Sequence, residues 1–282
     1  MKPLVAYVLL LPALFGFLLC GLLPVMGVGY LSFFKSDLLH DDVWVGFGNY
    51  VTALTEGHWL SALRASAFYA VSTVILQVGG GLILAFTAYH AGRRWLSASR
   101  FLFFLPTFSA GLVISQMWRS LLHPMGWAVV AMKSLGLDFW HSPLAVMTAI
   151  TLSHFSANVG GQAVVFLSVL LGIGQEYKDA ARVDGASNAL ISRRIFLPMI
   201  STTVLVMAVM QFIGAFQMWE TPRFISNGAP DGKSATLMFD VWQTAFVQND
   251  FGLASAKTII MAVVIAVGVG IARIIQKGTS CA

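Results

Sequence analysis

Charge is what this chain has least of. Asp, Glu, Lys and Arg make up 10% of its 282 residues, where soluble domains carry about 25%. So little charge beside 57% hydrophobic residues excludes an ordinary water-facing surface and points to lipid. Cysteine is equally scarce: Cys20 lies inside the first apolar run and Cys281 beside the C-terminus. Two residues so placed build neither a disulfide framework nor a metal-ligand spacing. The chain also lacks His-Glu-x-x-His, Gly-x-Ser-x-Gly and paired intramembrane carboxylates, which removes the usual marks of a membrane-embedded hydrolase. Polar-apolar alternation in segments of about ten residues, the mark of a transmembrane β-barrel, is missing as well.

What remains is a set of long apolar runs. A bilayer core of about 30 Å needs about 20 helical residues. Leu4 to Tyr30, Ala65 to Tyr89, Phe101 to Trp118, Pro143 to Leu171 and Met199 to Trp219 contain no Asp, Glu, Lys or Arg. A sixth run, Thr258 to Ala272, reaches spanning length if Phe251 to Ala256 extend it and Lys257 snorkels toward the headgroups. Helices are the spanning structure that such runs allow. The expected fold is therefore all-α and polytopic, with six helices over about 4–30, 65–89, 101–122, 143–171, 199–219 and 253–275 in one transmembrane domain. The first run is too long and lacks the small-x-small site expected of a cleaved signal peptide.

Orientation follows from the short loops, where Lys and Arg favour the cytoplasmic side. With the N-terminus inside, that side holds Lys2, Arg93, Arg94, Arg100, Lys178, Arg182, Arg193, Arg194, Arg273 and Lys277, and the outside holds Lys35, Arg64, Arg119, Lys133, Arg223, Lys233 and Lys257. Both termini are expected inside. The net charge of +5 is dispersed over loops without a basic stripe interleaved with aromatics, so nucleic acid is not an expected partner.

The longest cytoplasmic loop, 172–198, is also among the most polar stretches of the chain. Tyr177, Ala180, Ala181 and Asp184 recur at helical spacing, Gly185 offers a turn, Ala189 to Ile195 reads as helix again, and Pro198 sits where a helix can begin. A short helix bearing two adjacent alanines lets another protein approach its backbone closely, which suits a docking knob.

Asp179-Ala180-Ala181, Gly185 and Ile195-Phe196-Leu197-Pro198 resemble the cytoplasmic signature of permease subunits in binding-protein-dependent ABC importers: Glu-Ala-Ala, three residues, Gly, nine residues, Ile-x-Leu-Pro. Every gap is kept, and Asp replaces the first Glu. Val45 to Tyr50, Arg100 to Pro106 and Thr221 to Thr236 are similar to further elements of the sugar-importer branch, which includes maltose and glycerol-phosphate permeases. The resemblance implies a type I permease fold in a bacterial or archaeal cytoplasmic membrane. It further implies a coupling helix carrying Glu176, Asp179, Ala180, Ala181, Asp184, Gly185 and Pro198. The implied partners are two ABC ATPase subunits, a second related permease and an extracytoplasmic solute-binding protein, with carbohydrate as solute.

The engine is expected elsewhere. Gly232-Lys233-Ser234 carries the ending of a phosphate-cradling loop, but Asn227 stands where its first glycine belongs and no strand-helix unit surrounds it. ATP and Mg²⁺ are thus expected on the partner ATPase, and no cofactor or metal in this chain. The rival reading, an ion-coupled secondary transporter, wants an acid or histidine within a span. Glu220 falls just past the fifth run, and His154 is the one mid-span titratable candidate. Amides and aromatics suited to a sugar's hydroxyls and ring faces are Gln77, Asn158, Gln162, Gln211, Gln217 and Trp219. The alternative for each is a hydrogen bond to a neighbouring helix. Loops 35–63 and 220–250 are the longest external candidates for docking a binding protein.

Overall fold

The computed structural model describes residues 3–37, 39–91, 101, 103, 105, 111–134, 136 and 138–280. In chain order the helices are α1 (Pro3–Phe17), α2 (Leu23–Leu31), α3 (Gly48–Thr55), α4 (Trp59–His90), α5 (Gly111–Leu121), α6 (Trp127–Ser134), α7 (Pro143–Leu171) and α8 (Gln175–Val183). They continue with α9 (Asn188–Ile191), α10 (Leu197–Met199), α11 (Ser201–Phe216), α12 (Glu220–Ile225), α13 (Leu237–Phe246) and α14 (Phe251–Ser280). Two-residue strands β1 (Phe34–Lys35) and β2 (Val43–Trp44) pair antiparallel, Phe34 opposite Trp44.

Leu18–Leu22 and Ser192–Phe196 are π-helical turns, and each precedes a proline by two residues, Pro24 and Pro198. The coincidence has a steric cause. A proline lacks the amide for an i→i−4 bond and its ring crowds that carbonyl, and a widened turn moves the carbonyl out of its way. The wider bonds run from the Leu23 amide to the Leu18 carbonyl and from the Leu197 amide to the Ser192 carbonyl.

Among the described residues four helices are long and apolar enough to cross a membrane: Leu10–Leu31, Trp59–His90, Pro143–Leu171 and Phe251–Arg273. The bent pair Asn188–Met199 and Ser201–Phe216, which turn 75° about Ile200, makes a fifth if it is counted as one span. Of the expected third span, 101–122, residues 102, 104 and 106–110 lie outside the described ones, and α5 is its described helix. The fifth helix stops at Phe216, short of Trp219, because Gln217 closes it with its amide on the Ala215 and Ile213 carbonyls.

The chain divides into two compact units, Met1–Trp59 with Asp240–Val267, and Leu60–Phe239 with Gly268–Ala282. In the first, Asn49 ties the chain leaving α2: its Nδ2 donates to the carbonyls of Ser32 (2.9 Å) and Phe34 (2.8 Å). Tyr50 Oη and Ser32 Oγ lie 2.8 Å apart. The absence of a side chain at Gly252 lets α14 meet the Phe34 carbonyl, where a Cβ would collide.

Lys257 corrects an expectation. It does not snorkel: only 2% of its side chain is exposed, and its Nζ contacts Glu56 (2.7 Å) and Asp240 (3.0 Å) and donates to Thr244 Oγ1 (3.0 Å). Two carboxylates and a hydroxyl compensate the ammonium within the protein, which removes the reason to reach for headgroups.

In the second unit α4 packs along α7. Ser142 caps α7, its Oγ accepting the Ala145 amide, and Pro143 occupies the first turn. Glycines set how closely the two helices approach. A Cβ on Gly80 would stand 2.7 Å from the Phe155 ring, and one on Gly81 would stand 3.2 Å from Gln162 and 3.3 Å from Phe166. Gly268 of α14 likewise faces Phe212 of α11, where a Cβ would stand 2.5 Å from the ring.

Candidate functional site

The polar stretch 175–200 forms two short helices joined by a sharp turn. Glu176 lies in the first turn of α8 and its carboxylate folds over Gly174, while Arg182 lies in the last turn. Both placements complement the helix dipole. Termination follows from Gly185, whose φ of +77° suits a residue without a Cβ. The Ala186 amide reaches the Ala181 carbonyl (2.9 Å) and the Gly185 amide the Arg182 carbonyl (3.0 Å), the paired bonds of a Schellman cap. Ser187 then caps α9, its Oγ accepting the Leu190 amide.

α8 has two faces. Lys178 and Ala181, three residues apart, are buried, whereas Glu176, Tyr177, Asp179, Ala180, Arg182, Val183 and Asp184 are exposed. Ala181 enters a core with Tyr89, Phe166, Leu170, Ile191, Phe196 and Ile200. The expectation of a doubly alanine outer surface is thus corrected: neighbours on a helix point about 100° apart, so Ala180 faces out and Ala181 inward.

Sequence reasoning missed Lys178, whose spacing from Ala181 was the available signal. Its Nζ stands 4.6 Å over the Tyr89 ring, a cation–π contact. Burial, with the Arg182 guanidinium alongside, pushes the Lys178 ammonium below its ordinary range against the pull of Asp179. Tyr89 also meets Phe196 edge-on at 5.2 Å, and His90 Nε2 lies 2.9 Å from Ser192 Oγ. The segment is thereby fastened to the end of α4, and it runs through the π turn and Pro198 to the bend at Ile200 and so into α11.

The predicted pathway residues fall into two groups. Gln77, Asn158 and Gln162 lie on the α4–α7 seam. Gln77 Nε2 and Asn158 Nδ2 both donate to the His154 carbonyl at 3.0 Å. Gln77 Oε1 and Gln162 Oε1 are buried with no hydrogen-bond partner among the described residues. Gln211 is half-buried on α11, Gln217 exposed at its cap and Trp219 half-buried just beyond. These two groups are not brought into one described cavity.

Gly232-Lys233-Ser234 occupies a turn-rich loop, not a strand-helix junction. Ser234 Oγ donates to the Ala229 carbonyl (2.6 Å) and lies 2.8 Å from Ser226 Oγ. The loop is anchored to α4 through the Leu237 amide on Ser66 Oγ, 2.9 Å.

Comparison with known proteins bears on this arrangement directly. The family of binding-protein-dependent transport system inner membrane components matches residues 77–280. The chain is 30% identical over 272 residues to the probable ABC transporter permease protein YesP of Bacillus subtilis (strain 168), covering 93% of this chain and 87% of that one. It is 26% identical over 243 residues to the sn-glycerol-3-phosphate transport system permease protein UgpA of Rhizobium meliloti (strain 1021), covering 83% and 81%. Its fold is that of a chain in a bacterial alginate ABC transporter solved with an alginate pentasaccharide-bound periplasmic protein. That match has a TM-score of 0.81 at 19% identity, over 96% of this chain and 93% of that one. The chain belongs to the family of binding-protein-dependent transport system inner membrane components, and is a multi-pass permease of an ABC importer in the bacterial inner membrane.

Proposed function

We propose that this permease carries a carbohydrate or related polar solute across the membrane by alternating access, with α8 as the element that receives the work of a separate ATPase. The observation that carries the reading is the division of α8. Tyr177, Ala180 and Asp184 form an exposed stripe, while Lys178 and Ala181 grip the ends of α4 and α7 and the start of the α11 segment. A helix held this way moves as a rigid lever when a partner moves its outer face, and Ile200, with its 75° bend, lies where α11 would be turned.

The carbohydrate class is supported by the solutes named for UgpA and for the alginate transporter. The rest of the assembly follows the family: two ATPase subunits holding ATP and Mg²⁺, a second related permease and a solute-binding protein, with both termini of this chain in the cytoplasm. The first long helix, Leu10–Leu31, has none of its apolar window buried, as befits a surface left to lipid or to that second permease. Ser226, Ala229 and Ser66 tie down the Gly232-Lys233-Ser234 loop through the bonds described above, which supports a structural role for it in place of a phosphate cradle.

The test is transport by the full complex in proteoliposomes. Ala180→Glu places charge and bulk on the outer stripe without touching the core, and is expected to abolish ATP-driven uptake while leaving thermal unfolding unchanged. Ala181→Glu buries a charge and is expected to lower the yield of folded protein. Wild-type uptake by Ala180→Glu would remove α8 from the coupling role. Uptake by this chain alone under an ion gradient, without ATP, would restore the secondary-carrier reading.

A further inference from the structure

A crevice beside α4 belongs neither to the seam with α7 nor to the exposed stripe of α8. It encloses about 550 Å³, within the ~300–1,000 Å³ of small-molecule sites. One wall is a single stripe of α4: Gly79, Leu82, Ile83, Phe86, Thr87 and His90, whose steps of three and four put them on one face. Asn188, Ala189, Ser192, Arg193 and Leu197 form the other wall.

Polarity is graded along the crevice. The two walls meet at its polar end, where His90 Nε2 lies 2.9 Å from Ser192 Oγ, and Asn188 and Arg193 stand beside Ser192 on their own segment. From there the α4 wall runs through Phe86, Ile83 and Leu82 to Gly79. Thr87 adds no free donor, since its hydroxyl is spent on the Ile83 carbonyl at 2.7 Å. Gly80 and Gly81 turn toward α7, but a Cβ on Gly79 would have nothing within 4 Å, so the far end stands open. Gly79 and His90 are eleven residues apart, about 16 Å along the helix axis. That is close to half of a bilayer core of about 30 Å, the depth of one leaflet.

Arg193 is exposed and forms no ion pair or side-chain hydrogen bond among the described residues. All 12 Asp and Glu of the chain lie among those residues, so none of them neutralises it. The crevice wall holds no carboxylate either. An apolar channel one leaflet deep that ends at an unpaired guanidinium fits a lipid with an anionic headgroup, because the planar fork of arginine matches phosphate geometry. A neighbouring protein helix would cover the apolar wall and leave Arg193 without an anion. We infer that this crevice holds one anionic phospholipid, its acyl chain along Leu82, Phe86 and Leu197 and its phosphate at Arg193, with Asn188 as a further donor. The inference rests on the membrane location of the chain and is independent of the solute and of the coupling role of α8.

Native mass spectrometry of the detergent-purified complex tests it. The complex is titrated with phosphatidylglycerol, phosphatidylcholine, phosphatidylglycerol bearing six-carbon chains, and glycerol 1-phosphate. One long-chain phosphatidylglycerol per copy of this chain is expected, held at least about tenfold more tightly than phosphatidylcholine, as charge-assisted bonds imply. The short-chain lipid should bind more weakly and glycerol 1-phosphate not at all. Arg193→Gln should abolish the preference for phosphatidylglycerol and Arg193→Lys should restore part of it, while Arg273→Gln, a change to another exposed charge, keeps the wild-type preference. Gly79→Leu fills the open end without meeting a neighbour, so it should weaken both long-chain lipids at an unchanged thermal midpoint. Equal affinity for the two long-chain lipids, or an unchanged preference in Arg193→Gln, would overturn the inference. Glycerol 1-phosphate bound as tightly as lipid and lost with Arg193 would reassign the site to a free phosphate. Unchanged lipid binding with loss of the second permease from the Gly79→Leu complex would give the crevice to a protein helix.

Discussion

The helix Leu10–Leu31 and the helix Pro143–Leu171 have the same material to work with and put it to opposite use. The first is the more apolar and has none of its spanning window buried, while the second is less apolar and has 39% of its window buried. Phe15, Val25 and Met26 of the first are each about two-thirds exposed. The buried face of α7 combines Val146, Ile150, Phe166, Leu167 and Leu170 with the small or polar Ala149, Thr151, Ser153, Ala157, Gly160, Gln162 and Ala163. In water this order would be inverted. In lipid, apolar exposure costs nothing, and helices associate through small residues, close packing and hydrogen bonds. Hydropathy therefore finds membrane helices but does not rank their burial, and small and polar residues interspersed among the large apolar ones accompany the helix that packs.

The sharpest way to break this contrast is to add bulk to one helix at a time. A Cβ on Gly160 would run into the main-chain carbonyl of Phe103, which has no rotamer to escape by. Gly160→Leu is expected to cost about 3 kcal/mol or more, read as a large fall in thermal midpoint and in folded yield. Gly27→Leu, with nothing within 4 Å, should stay within about 0.5 kcal/mol of wild type. Equal effects would mean that the two helices pack alike.

A middle-sized effect is expected in the other unit. Lys257→Met leaves Glu56 and Asp240 facing each other without their cation. Removing one partner of a buried pair costs about 3–5 kcal/mol, and because Glu56 is 35% exposed we expect about 2 kcal/mol, with partial recovery in the triple variant that adds Glu56→Gln and Asp240→Asn. A Lys257→Met variant as stable as wild type would return the lysine to a peripheral role.

The smallest effect belongs to the seam. Gln77→Leu loses one bond to a carbonyl that Asn158 also serves and removes an oxygen without a partner, so its stability should change by less than about 1 kcal/mol. Transport measured on the same variant sharpens the comparison. Retained uptake fits a packing residue, and lost uptake at unchanged stability makes Gln77 part of the route.

The polar segment 175–200 was the most legible part of the chain. Its spacing from Asp179 through Gly185 to Pro198 is a property of local geometry: a helix, a left-handed stop and a proline-tolerant turn each have residues that only their own neighbours constrain. Ala181 and Lys257 were less legible for opposite reasons. The direction in which Ala181 faces depends on where Tyr89 and Phe196 arrive from elsewhere. Lys257 looked like a lipid-facing charge because its compensating acids, Glu56 just past α3 and Asp240 on α13, come from other parts of the chain.

By itself, then, the sequence determined that this is a helical membrane protein, where its long helices run and where the polar segment 175–200 is punctuated, since these follow from solvation and from backbone preferences a few residues long. Tertiary structure alone decided which face of α8 is gripped, which amides are spent between α4 and α7, and which acids meet Lys257. Those outcomes depend on distances between chain segments that no local pattern encodes.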